Sequence, residues 1–99
     1  MVTYDDVSQR ELLEKAELLK VLGHPERLAI VLLTLYREMC VKELVEALKI
    51  SQPKVSQHVG LMKEVGLLTF RKEGTKVLYR VSDRAIREIV ELLFKEENQ

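Results

Sequence analysis

A mainly α fold, with about five helices broken by one two-stranded antiparallel hairpin, is what this 99-residue sequence predicts. Three observations carry that expectation. Apolar residues recur at helical spacing along most of the chain, and the period switches to two between Leu67 and Val81. Glycine, proline or serine stands where one element has to give way to the next. A chain this short forms one domain, 1–99, with a feasible but thin core. Its 46% apolar and 32% charged composition excludes a disordered tail. A single cysteine excludes a disulfide framework and a multi-cysteine zinc cluster. The apolar run Ile30-Val31-Leu32-Leu33 is far short of the ~20 residues that span a bilayer. Met1 to Arg10 lacks an apolar signal core, so a soluble cytoplasmic protein with no membrane partner is expected.

The first helix runs from Ser8 to Leu22, with a broad stripe of Leu12, Leu13, Ala16, Leu19 and Leu22. Gly23 is expected to stop it by taking the left-handed conformation. His24-Pro25-Glu26 restarts the helix, because proline is tolerated in a first turn. From Arg27 to Tyr36 this second helix is apolar nearly all round, which predicts a buried central spar. A short third helix, about Val41 to Leu48, turns Leu44, Val45 and Leu48 inward. Lys49-Ile50-Ser51 is a tight connection, and Ser51 is a good N-cap for a fourth helix over Gln52 to Val65. Val55, Val59 and Met62 mark that helix's buried face, and Gly66 closes it.

Leu67 to Lys72 and Lys76 to Val81 then read as two strands around a Glu73-Gly74-Thr75 loop. Ser82 or Asp83 caps a last helix reaching about Lys95. Its apolar residues Ile86, Ile89, Val90, Leu92, Leu93 and Phe94 cover a wider arc than one core contact needs. Helix, helix, helix-turn-helix (about 41–65), hairpin (about 67–81), helix is the order of a winged helix-turn-helix.

Net charge is zero, but it is unevenly spread: −3 over Met1 to Leu48, +5 over Lys49 to Arg80 and −2 beyond. A basic third between acidic ends is the footprint of a polyanion-binding face, although chance clustering on a solvated surface gives the same sum. Opposite the buried stripe of the fourth helix lie Pro53, Ser56, Gln57, Gly60 and Glu64, with Gln52 at the N-terminal end. Glutamine pairs with adenine N6 and N7 and serine donates or accepts, so Gln52, Ser56 and Gln57 are the candidate base readers. His58, at the border of the buried face, is placed with them, and a half-buried packing role is equally open to it. Ser51, Lys54 and Lys63, with Arg71, Lys72, Lys76 and Arg80 of the hairpin, are candidate phosphate contacts. Edge lysines also discourage aggregation, so the hairpin cations have a second reading.

Leu22-Gly23-His24-Pro25-Glu26-Arg27-Leu28, Val41-Lys42-Glu43-Leu44, Ser51 to Val59, and Glu64 to Leu68 with Arg71 to Gly74 and Tyr79 to Val81 resemble the ArsR/SmtB-type repressors over about Leu18 to Val81. The resemblance implies a homodimeric regulator that binds a palindromic double-stranded DNA operator, usually represses, and dimerises through its terminal helices, about 8–22 and 83–97 here. The wide apolar faces at both ends agree with that. The family's thiolate site has two cysteines two apart at the start of the third helix. Here Glu38-Met39-Cys40-Val41-Lys42 keeps one sulfur and puts an ammonium in place of the other. The family's second site uses Asp and His on the last helix, where this chain has Asp83 and no histidine. Neither set makes a soft-metal shell, so no metal ligand and no cofactor are expected. Cys40 is left as a small packed residue, a redox-sensitive thiol beside Lys42, or a residual ligand. No nucleophile–base pair, carboxylate dyad or glycine-rich phosphate loop points to an enzyme. The competing readings are a winged helix that meets an acidic protein partner and a single-cysteine redox-responsive regulator.

Overall fold

Ser8 opens the first long helix as predicted: its Oγ accepts from the Glu11 amide at 3.1 Å, and the Glu11 carboxylate accepts from the Ser8 amide at 3.0 Å. In the computed structural model, which describes residues 1–95, that helix is α1, Gln9–Leu22. It is followed by α2 (Pro25–Leu33), α3 (Val41–Leu48), α4 (Gln52–Glu64), β1 (Leu68–Glu73), β2 (Lys76–Val81) and α5 (Arg84–Lys95). A 3-10 turn at Tyr4–Asp6 precedes them. The expected reach of the last helix to residue 97 lies partly outside the described residues.

Two helix boundaries differ from expectation, each for a local reason. Gly23 ends α1 at φ −77°, not in the left-handed region. The stop comes instead from Pro25, which pushes the preceding residue into extended backbone; His24 sits at φ −114°, ψ 131°. The second helix is also shorter than predicted, ending at Leu33, where Thr34 Oγ1 donates to the Ile30 carbonyl at 2.7 Å. Nor is it buried all round. Ile30 and Val31 are fully buried, whereas Leu32 is 42% exposed and Tyr36, beyond the helix, 61%.

The turn between α3 and α4 forms as the sequence requires. Lys49 takes the left-handed conformation (φ 57°) and Ser51 Oγ accepts from the Lys54 amide at 3.4 Å. At the other end of α4, Gly66 (φ 86°) donates to the Lys63 carbonyl and Leu67 to that of Met62, a paired exit that favours glycine. The hairpin loop is one residue tighter than predicted. Glu73 pairs with Lys76, leaving only Gly74 (φ 63°) and Thr75 between the strands, and β1 starts at Leu68.

The core fills the space between these elements. Ile30 and Val31 of α2, Leu44 of α3, Val55 and Met62 of α4, Leu67 and Val90 of α5 are completely buried. Asp83 caps α5, its Oδ1 accepting from the Ala85 amide at 2.6 Å. The wide apolar arc of α5 divides in two: Ile86 and Val90 are buried, while Ile89, Leu92 and Leu93 face outward. Leu12, Leu13 and Leu19 of α1 are likewise exposed.

Candidate nucleic-acid interface

Helix α4 owes its orientation to Val55, Val59 and Met62, which fall on one face and are each at most 2% exposed. That placement turns Gln52, Ser56 and Gln57 outward, and among the described residues no hydrogen bond engages their side chains. Gly60 lies on the same outer surface with open space around its Cα, so a methyl group there would meet nothing. Ser51 is exposed, but its hydroxyl is already engaged as the helix cap.

His58 is not on this face. One turn from Val55 and beside Val59, its ring is carried inward to 9% exposure. Its Nε2 lies 2.7 Å from Glu26 Oε1, and its ring centroid is 4.9 Å from that of His24 at a 55° tilt. A base-reading role is therefore withdrawn for His58; the packing alternative is the one the fold adopts. Glu26, in the first turn of α2, is the partner of His58 that sequence reasoning missed. It also meets Lys54, whose Nζ is 3.6 Å from Oε2. The hydrogen bond with His58 and the nearby Lys54 charge hold the Glu26 carboxyl below its ordinary value. His24 completes the group, its Nδ1 accepting from the Glu26 amide at 3.1 Å. A partner 32 residues away in sequence leaves no spacing signal. The HPE run at a helix start, read together with an inward-tending histidine, was the only available clue.

The hairpin cations do not act as one set. Directly paired residues share a face, so the register puts Lys72 with Phe70, Val77 and Tyr79, and Arg71, Lys76 and Arg80 on the other side. Lys63 of α4 lies with Nζ 4.6 Å from the Phe70 ring centroid, which ties the end of α4 to the Lys72 face. Arg71 is committed within the protein: Nε and Nη2 donate to Glu38 at 2.7 and 2.9 Å, and Nη2 also lies 2.9 Å from Glu73. Those bonds raise the Arg71 pKa and lower that of Glu38. Arg71 thus anchors the wing to the segment before α3, with about half of its side chain still exposed. Backbone bonds reinforce the anchor, Met39 and Tyr79 exchanging both at 3.0 and 2.8 Å. Lys72, Lys76 and Arg80 remain exposed.

Cys40 precedes α3, half-buried, with its amide donating to Glu43 at 3.0 Å. It borders a groove of about 570 Å³ between α3 and the wing, shared with Lys42, Glu43 and Lys76. Among the described residues no helix is long and apolar enough to cross a membrane.

Comparison with known proteins agrees with this architecture. Residues 24–69 match the arsR family of bacterial regulatory proteins. Over 89 residues the chain is 44% identical to the transcriptional repressor SmtB of Mycobacterium tuberculosis, covering 89% of this chain and 66% of that protein's length. The structure of HlyU from Vibrio cholerae superposes with a TM-score of 0.83 at 32% identity, over 93% of this chain and all of that one. The homodimeric winged helix-turn-helix DNA-binding domain of a possible ArsR-family regulator from Mycobacterium bovis gives 0.80 at 25% identity, over 93% of this chain and 88% of that one. By sequence and by fold, the chain belongs to the arsR family of winged helix-turn-helix transcriptional regulators.

Proposed function

We propose that this chain acts as a cytoplasmic homodimer that binds a palindromic operator in double-stranded DNA and represses transcription, by binding and not by catalysis. The observation that carries the reading is the outward edge of α4. Gln52, Ser56 and Gln57 stand exposed at the N-terminal half of a helix whose other face is sealed in the core. In this reading they meet base edges in the major groove, with Ser51, Lys54 and Lys63 against the backbone. Lys72, Lys76 and Arg80 hold flanking phosphates, and Arg71 keeps the wing in place to do so.

Two subunits are needed to make the operator palindromic. The exposed leucines of α1 (Leu12, Leu13, Leu19) and the outward Ile89, Leu92 and Leu93 of α5 support a second copy as their cover. The repressor and homodimer among its relatives support the same assignment. Selection of bound sequences from random duplex DNA tests it. The expected product is an inverted repeat whose half-sites lie about one helical turn, ~34 Å, apart. Absence of any enriched sequence, with binding that ignores salt, would favour a protein partner for the basic face.

A further inference from the structure

We infer that His24, Glu26 and His58 form a binding site for one borderline divalent transition-metal ion, of the zinc, cobalt or nickel class. One ligand atom from each of the three lies within 4.8 Å of the other two. Metal–ligand bonds of about 2.0–2.2 Å in a tetrahedral shell separate ligand atoms by roughly 3.4 Å. The existing trio therefore needs only small shifts, opening the 2.7 Å His58–Glu26 contact and drawing His24 in.

Two features make the trio a prepared site. His24 and Glu26 are fixed on either side of Pro25 at the start of α2, and His58 is fixed on the buried side of α4, so no loop has to be ordered. The side chains of His58 and Glu26 are 11% and 27% exposed, leaving a solvent side where water can complete the shell. Two imidazoles and one carboxylate suit borderline metals better than calcium or magnesium, which prefer all-oxygen shells. Each neutral imidazole has one lone pair. The proton between His58 Nε2 and Glu26 must therefore move to Nδ1, and His24 must exchange its bond to the Glu26 amide for the metal. Lys54 sits on the second carboxylate oxygen and is well exposed, so it can swing away. A bound ion would thus clamp the first turn of α2 to the middle of α4 and release Lys54 at the outer surface. This site shares no residue with Cys40 or with Asp83, and it stands whether or not α4 enters DNA.

The test is titration of the tag-free, reduced, metal-stripped full chain with Co²⁺, followed by visible absorption and by imidazole NMR. With only two histidines in the chain, both ring signals report on the site. The expected result is saturation at one ion per chain, perturbation of both rings and no thiolate charge-transfer band. His24→Asn retains a residue that caps helices well, and Glu26→Gln keeps the side-chain shape. Each, checked for native circular dichroism, should weaken Co²⁺ binding by more than about tenfold, while Cys40→Ser leaves it unchanged. Failure to saturate, binding that survives either the His24 or the Glu26 change, or loss with Cys40→Ser overturns the site.

Discussion

Helix α4 and the wing are neighbours, yet they are held in place by different physics. Val55, Val59 and Met62 seat α4 by apolar burial, each side chain contributing roughly 1.5–3 kcal/mol. In β1 only Leu68 is buried; the rest of the strand is exposed. Leu68 and Val81 pack the base of the wing into the core, and beyond them it is placed by backbone bonds between Met39 and Tyr79 and by the Arg71–Glu38 pair. Apolar seating has no charge to screen or titrate, whereas a charge pair is weakened by salt and by protonation of its carboxylate. The helix that presents the proposed base readers is thus seated by packing, and the wing that presents Lys72, Lys76 and Arg80 leans more on contacts that respond to salt and pH.

The largest break in this contrast comes from the packed helix. Met62→Ala should destabilise the domain by about 2–5 kcal/mol, read as a lowered urea midpoint. Its DNA affinity should fall only in proportion to the unfolded fraction. A change under ~0.5 kcal/mol would mean that something other than packing seats α4. On the outer edge of the same helix, Gln57→Ala should leave the urea midpoint nearly unmoved. It should cost about 1–3 kcal/mol of discrimination at one base pair, measured by competition between operator variants. Lys72→Ala tests the wing by contrast: affinity should drop about equally on every duplex, and the slope of log affinity against log salt should shrink by about one. A sequence-dependent loss with Lys72→Ala would erase the proposed division of labour.

These contrasts were unevenly legible in the sequence. Ser51, Pro53, Gly66 and Gly74 announced the ends of α4 and the hairpin turn, because caps and left-handed turns are decided by chemistry within a few residues. The outward placement of Gln52, Ser56 and Gln57 followed from the period of Val55, Val59 and Met62 for the same reason. What needed the third dimension stayed hidden. His58 lies at the edge of its helix's apolar stripe, and only Glu26 and His24, brought over by α2, decide which way it turns. Arg71 looked like its fellow cations until the fold put Glu38 within reach of its guanidinium. The apolar run of α2 gave no hint that Leu32 lies on the outside, since periodicity vanishes where every position is apolar. Tyr36 follows it outward and is tied to α5, its hydroxyl donating to Glu91 and its ring lying 5.5 Å from the Arg87 guanidinium carbon.

The smallest expected effect is also the one that best separates the two kinds of seating. Glu38 is held below its ordinary pKa by its hydrogen bonds from Arg71. A carboxylate lowered in this way contributes stability above its unfolded-state pKa, about 4.3, and loses that contribution as pH falls through the lower folded value. Wild type should therefore exceed Glu38→Gln in stability at neutral pH, and the two should converge in acid below the usual glutamate range. Other lowered carboxyls, such as Glu43 beside Cys40, titrate in both proteins and cancel in the difference. Raising salt at neutral pH should narrow the same gap, since both partners are partly exposed. Denaturation midpoints across pH and salt supply the measurement. A gap that persists unchanged in acid would mean that Arg71 and Glu38 hold the wing by packing alone, and the contrast with α4 would disappear.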